Sequence, residues 1–232
     1  MIDTLVAFGC SNTYGSETIN IGDTTNIKNI YQAYPYFLSQ KLNIANYINY
    51  ARVSASNFEI AYKVYNYIIK ADKQYNKNTL LVIGWSGDER FPLFIKDKFS
   101  TLRQKTTPKD ADYQNTTAIN SIFRNFFFET PICTFLNAFV RTCITFILER
   151  YEIPYITIPT ILYNNHQIYQ LLNHRNNVLC YDQDDNIVFN FYDFKQRHSP
   201  GKHLMKDEHE KFAEWLYEYI VKNKTLSDDT IL

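Results

Sequence analysis

Few residues in this 232-residue chain can do covalent chemistry, and Ser11 comes first among them. It lies in Phe8-Gly9-Cys10-Ser11-Asn12-Thr13-Tyr14-Gly15, directly after the apolar run Leu5-Val6-Ala7. A strand that ends in Gly-x-Ser sets a small nucleophilic hydroxyl at a strand's carboxyl end, where open α/β sheets keep their ligand crevices. The same residues are also ordinary turn chemistry between a strand and a helix. A serine nucleophile needs a base within hydrogen-bond reach and donors aimed at the developing oxyanion. Of the five histidines, His198, His203 and His209 cluster before and inside the last helical segment, while His166 and His174 lie in a polar stretch. His203, in Ser199-Pro200-Gly201-Lys202-His203 just ahead of a helix, is placed as a base. His209 falls in the first helical turns and suits a packing or capping role.

Other chemistries find less support. Gly9-Cys10-Ser11-Asn12-Thr13 is not Gly-x-Ser-x-Gly, and no Gly-x-Gly-x-x-Gly or Walker loop follows the first strand. Cys10, Cys133, Cys143 and Cys180 are scattered without a Cys-x-x-Cys pair. His203 and His209, six apart, could ligate a metal, but no carboxylate or cysteine set accompanies them. Neither a metal nor a cofactor is expected. Lys+Arg and Asp+Glu balance at 24 each, so no global field would hold nucleic acid. The apolar segment 132–148 is interrupted by Asn137 and Arg141 and reads as a buried helix, not a membrane span. The amino terminus has no basic stretch ahead of its apolar run, so no signal peptide and synthesis in the cytoplasm are expected.

The elements that must position these residues alternate. Strands are expected at 2–8, 44–50, 79–84 and 153–158, the first a continuous apolar run of the kind buried on both faces. Helices are expected at 31–42, 58–70 (capped by Ser56 or Asn57), 130–151 and 207–221, with a short one at 167–172. Residues 9–29 read as loop, 178–181 and 187–191 as a small hairpin, and 92–130 as an insertion with some helix. The tail from Lys222 reads as polar and fraying. This alternation predicts one domain over 1–232, a three-layer α/β/α sandwich with a mainly parallel sheet. Its loops after the first three strands then share one edge, bringing Ser11, Ser54, Asn57 and Ser86 together.

In order along the chain, Phe-Gly-Cys-Ser-Asn-Thr-Tyr-Gly (8–15), Asn-Tyr-Ala-Arg-Val-Ser-Ala-Ser-Asn (49–57), Val-Ile-Gly-Trp-Ser-Gly-Asp-Glu-Arg-Phe (82–91) and His203 with His209 ahead of Lys-Phe-Ala-Glu-Trp-Leu resemble the SGNH (GDSL-like) hydrolases, particularly versions encoded by tailed bacteriophages. The resemblance covers most of the chain except 92–130. It implies a flavodoxin-like sandwich and metal-free ester hydrolysis. On it, Ser11 matches the nucleophile, His203 the base, and the N–H groups of Ser11 and Ser54 the oxyanion hole. The third block has Ser86 where the family has asparagine, so Asn57 or Ser86 would supply the remaining donor. The family's acid precedes its histidine by three residues, and here that position is Pro200. A backbone carbonyl, Asp88 or Asp193 would then orient His203, although phage versions with Pro-Gly-Gly-His look similar at this place.

The function this implies is an esterase acting through a Ser-His dyad or degenerate triad. Its substrate would be a small acyl ester or, from the aromatic content and the phage likeness, an acetylated polysaccharide. The competing reading is an SGNH-fold binding or structural module with little turnover, such as a virion component, whose partners are virion proteins or further copies of the chain. Fold does not decide between the two.

Overall fold

In the computed structural model, residues 2–70, 78–87, 90–95, 98–103, 131–159, 180–181, 187–189, 191, 194–195 and 203–222 are described. The apolar run after Asp3 forms β1 (Thr4–Gly9), which pairs in parallel with β2 (Asn46–Asn49) on one side and β3 (Thr79–Trp85) on the other. Strand β6 (Tyr155–Pro159) adds to β3, also in parallel, giving the order β2-β1-β3-β6. This begins the 2-1-3-4 order of flavodoxin-like sheets. Strand side chains alternate between two helical layers. Leu5, Ala7, Leu80, Val82, Ile156 and Ile158 face α2 (Tyr34–Lys41) and α5 (Lys206–Lys222). Val6, Phe8, Leu81, Ile83 and Tyr155 face α3 (Asn57–Lys70) and α4 (Pro131–Arg150). The architecture is thus the expected α/β/α sandwich. The near-continuous apolar strands follow from burial on both faces.

Several boundaries and one assignment differ from the sequence expectation. Residues 9–29 are not all loop, because Ser11–Tyr14 form a one-turn helix, α1, closed by Gly15 at φ 78°. The helix expected at 31–42 splits into a 3₁₀ segment (Ile27–Gln32) and α2, since Pro35 fits only a first helical turn. Strand β2 keeps only four residues of the expected seven. Where 92–130 is described, it continues a hairpin of β4 (Arg90–Ile95) and β5 (Lys98–Arg103) and not a helix. The Phe, Ile and Thr of that stretch favour a pleated surface over a helix. Strands β7 (Cys180–Tyr181) and β8 (Ile187–Phe189) pair antiparallel, as the expected small hairpin does. The expected helix 167–172, residues 104–130, the tail beyond Lys222, Asp88, Asp193, His166, His174, His198 and Pro200 lie outside the described residues. Among the described residues no helix is long and apolar enough to cross a membrane.

Candidate active site

Ser11 opens α1 immediately after β1, at the carboxyl edge of the sheet and beside β3. On opposite sides of the neighbouring β1 and β3, the chain turns away toward β2 and toward β6, so Ser11 sits at a switch point of the topology. Two glycines let α1 settle onto the strand ends. A Cβ on Gly9 would stand 2.2 Å from Thr13 Oγ1, and one on Gly84 would stand 2.0 Å from the same atom. Both distances are far inside contact range, so Thr13 fits only because β1 ends in Gly9 and β3 carries Gly84 one residue before its end. Beneath it, Thr13 Oγ1 and the buried Tyr34 hydroxyl share a hydrogen bond of 3.2 Å.

The loop following β2 is tied to the same edge. Tyr50 N–H donates to Ala7 O (2.8 Å) and Arg52 N–H to Gly9 O (3.0 Å). Asn49 Nδ2 donates to Thr13 O (3.1 Å), and its Oδ1 accepts from Ala51 N–H (2.9 Å). Arg52 forms a two-point ion pair with Glu59, whose carboxylate also meets Lys63 Nζ at 3.2 Å. Glu59 is buried, so these cations are what make its charge tolerable there. Ser54 in this loop adopts φ 68°, the left-handed conformation that favours glycine. That is the conformation expected of a residue occupying a glycine position.

His203 immediately precedes α5, and its ring joins two elements that are far apart in sequence. Its Nε2 is 3.0 Å from Ser11 Oγ, and its Nδ1 is 2.8 Å from Glu17 Oε2. The other Glu17 oxygen accepts from Gly22 N–H at 3.0 Å. The hydrogen bond from His203 holds the Glu17 carboxyl below the usual carboxylate range, outweighing partial desolvation. Glu17 is therefore ionised at neutral pH and accepts the Nδ1 proton. Nε2 is left as an acceptor for the Ser11 hydroxyl. Glu17 is not legible as this acid in the sequence, which points to acids near His203 or after the later strands. The one local signal, a Glu among small and polar residues six positions after Ser11, is weak. Its φ of 68°, unusual for a side-chain-bearing residue, marks the turn that aims the carboxylate.

The remaining expected site residues divide. Asn57 Nδ2 donates to Ser86 O (3.0 Å) and Asn137 Oδ1 (2.9 Å), and Asn57 Oδ1 accepts from Ser86 N–H (2.7 Å). Both amide hydrogens thus have acceptors inside the protein, and the side chain braces β3 against α3 and α4. Ser56, not Asn57, caps α3, with its Oγ accepting from Glu59 N–H at 3.3 Å. Ser86 is wholly buried, its Oγ has no hydrogen-bond partner among the described residues, and its carbonyl also accepts from Arg141 Nη2 at 3.1 Å. Arg141 lies over the Trp85 ring, 5.8 Å from its centre.

His209 is buried, stacks on Tyr34 and accepts Tyr34 N–H at Nδ1 (3.2 Å). Burial pushes its pKa down to about 3, so it stays neutral. His209 Nδ1 and both ring nitrogens of His203 are thus engaged with protein atoms. No cluster of three His, Cys, Asp or Glu side chains occurs among the described residues. Lys195 is half-buried close enough to Cys10, Arg90 and Glu17 to feel their charges, and burial lowers its pKa.

In sequence, no family model and no curated protein matches the chain. In structure, it is similar to a member of the lipolytic protein G-D-S-L family from Veillonella parvula DSM 2008, at 12% identity and TM-score 0.35 over 94% of this chain and 96% of that one. It is also similar to a protein assigned to the lipolytic G-D-S-L family from Desulfitobacterium hafniense DCB-2, at 13% identity and TM-score 0.37 over 97% and 99%. Similarity at this level is loose.

Proposed function

We propose that this chain is a serine ester hydrolase in which Ser11 is the nucleophile, His203 the general base and Glu17 the acid that orients it. One observation carries the proposal: the unbroken contact chain from Ser11 Oγ to His203 (3.0 Å) and from His203 to Glu17 (2.8 Å). His203 Nε2 takes the Ser11 proton as Oγ attacks the ester carbonyl, and the resulting imidazolium is stabilised by Glu17. The negative charge on the carbonyl oxygen is met by the N–H of Ser11, which as the first helical residue has no intrahelical acceptor, and by the N–H of Ser54. Asn57 enters as a brace for the loops and not as an oxyanion donor. Collapse of the tetrahedral intermediate expels the alcohol, which takes the proton from His203. Water, deprotonated by the same ring, then releases the acid and restores Ser11.

The substrate class proposed is a small acyl ester, with acetyl groups on a polysaccharide as the specific form. The 19 tyrosines and 17 phenylalanines of the sequence are what support a carbohydrate as the acyl carrier. The test pairs turnover of an aryl acetate with labelling by a fluorophosphonate, each against Ser11→Ala. Turnover and labelling that vanish in Ser11→Ala are expected. A wild type that neither turns over nor labels sinks the proposal.

A further inference from the structure

Helices α3 and α4 lie side by side over one face of the sheet, burying Ile60, Val64, Ile144 and Leu148 beneath them. The outer side of such a helix is ordinarily polar. Here it is not. Along α4 the exposed positions Phe135, Phe139, Thr142, Phe146 and Glu149 follow at spacings of four, three, four and three. The three phenylalanines are 65%, 58% and 67% exposed, and Phe135 stacks on Phe139 with ring centres 6.5 Å apart. A mean spacing of 3.5 residues keeps one stripe turned toward a neighbouring helix along its whole length. Helix α3 adds Tyr62, Tyr65 and Ile69, spaced three and four and each about half exposed. From Phe135 to Phe146 no exposed position of α4 is charged, and charge begins at Glu149 and Arg150. An apolar centre with a charged rim is the anatomy of a protein interface.

We propose that a second copy of this chain covers this surface, α4 packing antiparallel on α4 of that copy about a twofold axis beside Thr142. The stripe is self-complementary in this direction. Reversal about a point between Thr142 and Cys143 sets Phe139 opposite Phe146 of the second copy twice over, with the small threonines close to the axis between them. Such an isologous contact uses one patch on both copies and closes at two. The area agrees. Half-exposed side chains of this size offer on the order of 100 Å² each, and the six apolar residues together roughly 600–700 Å². That approaches the ~800 Å² per partner of a stable interface and exceeds what a monomer commonly exposes in one patch.

Sedimentation equilibrium of the full chain between 1 and 100 µM tests this directly. The wild type should be a dimer over most of that range, and Phe139→Glu should weaken the dimer more than tenfold without changing the far-ultraviolet circular dichroism. Phe139 is exposed, so the substitution leaves the fold intact. Thr142→Cys should give an intermolecular disulfide under mild oxidation that the wild type, which retains Cys143, does not. A wild type that is monomeric at 100 µM would mean that another protein covers the surface, and would overturn the proposal. So would a Phe139→Glu variant that dimerises as well as the wild type.

Discussion

At the scale of single residues, Glu17 and His209 perform opposite electrostatic tasks around His203. Glu17 is charged and fixes the tautomer. Glu17→Gln keeps the shape but can offer its NH₂ to Nδ1, favouring the tautomer whose proton sits on Nε2 and cannot accept from Ser11. A fall in kcat of about 10²–10⁴ is expected, with KM little changed, measured on an aryl acetate. Because the folded Glu17 pKa is lowered, its contribution to stability is present above the unfolded carboxylate value and is lost as pH falls through the lowered folded one. His209 works the other way. It binds its proton only near pH 3 when folded, against about 6.5 unfolded, so the unfolded state takes up the extra proton between those values. Acidification from pH 7 to 5 should therefore cost about 2 kcal/mol through this residue alone. Urea unfolding at both pH values, in wild type and His209→Gln, should show that increment in the wild type only.

At the scale of elements, the site depends on how closely α1 sits on the ends of β1 and β3. Gly84→Ala would drive a methyl group into Thr13 Oγ1. Relief requires α1 to lift, carrying Ser11 away from His203, and a loss of about 1–3 kcal/mol is expected together with most of the activity. Thr13→Ala should recover part of both in the double variant, because it removes the atom that is struck, although it gives up the bond to Tyr34. A double-mutant cycle on thermal stability measures that coupling. The Asn57 brace is a separate device. Asn57→Ala leaves Ser86 N–H and Asn137 without their partner in a buried setting and should cost about 2–3 kcal/mol in urea unfolding.

At the scale of the whole molecule, the two helical layers are unequal. Helix α5 completes its layer by burying Phe212, Leu216 and Ile220, whereas α3 and α4 present apolar residues outward as well as inward. Association through that surface makes stability depend on protein concentration. The melting temperature of the wild type should rise measurably between 1 and 100 µM, and that of Phe139→Glu should stay constant. Differential scanning fluorimetry across the dilution series reads the difference.

The layering of the molecule is legible in the sequence. Leu5 to Phe8 and Leu80 to Ile83 lack alternation because both sheet faces are covered, and the helices that cover them announce themselves at 3.6-residue spacing. The sequence also singles out Ser11 and His203, since each sits at a junction between elements where a side chain reaches the sheet edge. The partner of the His203 ring is set by tertiary contact. Glu17 contacts His203 across 186 positions of sequence through a turn held at positive φ, and such a contact leaves no local spacing to read. The same holds for Asn57, whose residue type fits an oxyanion donor and a buried brace equally well. Its role follows from the carbonyls that surround it, and those are set by how α3, α4 and β3 pack.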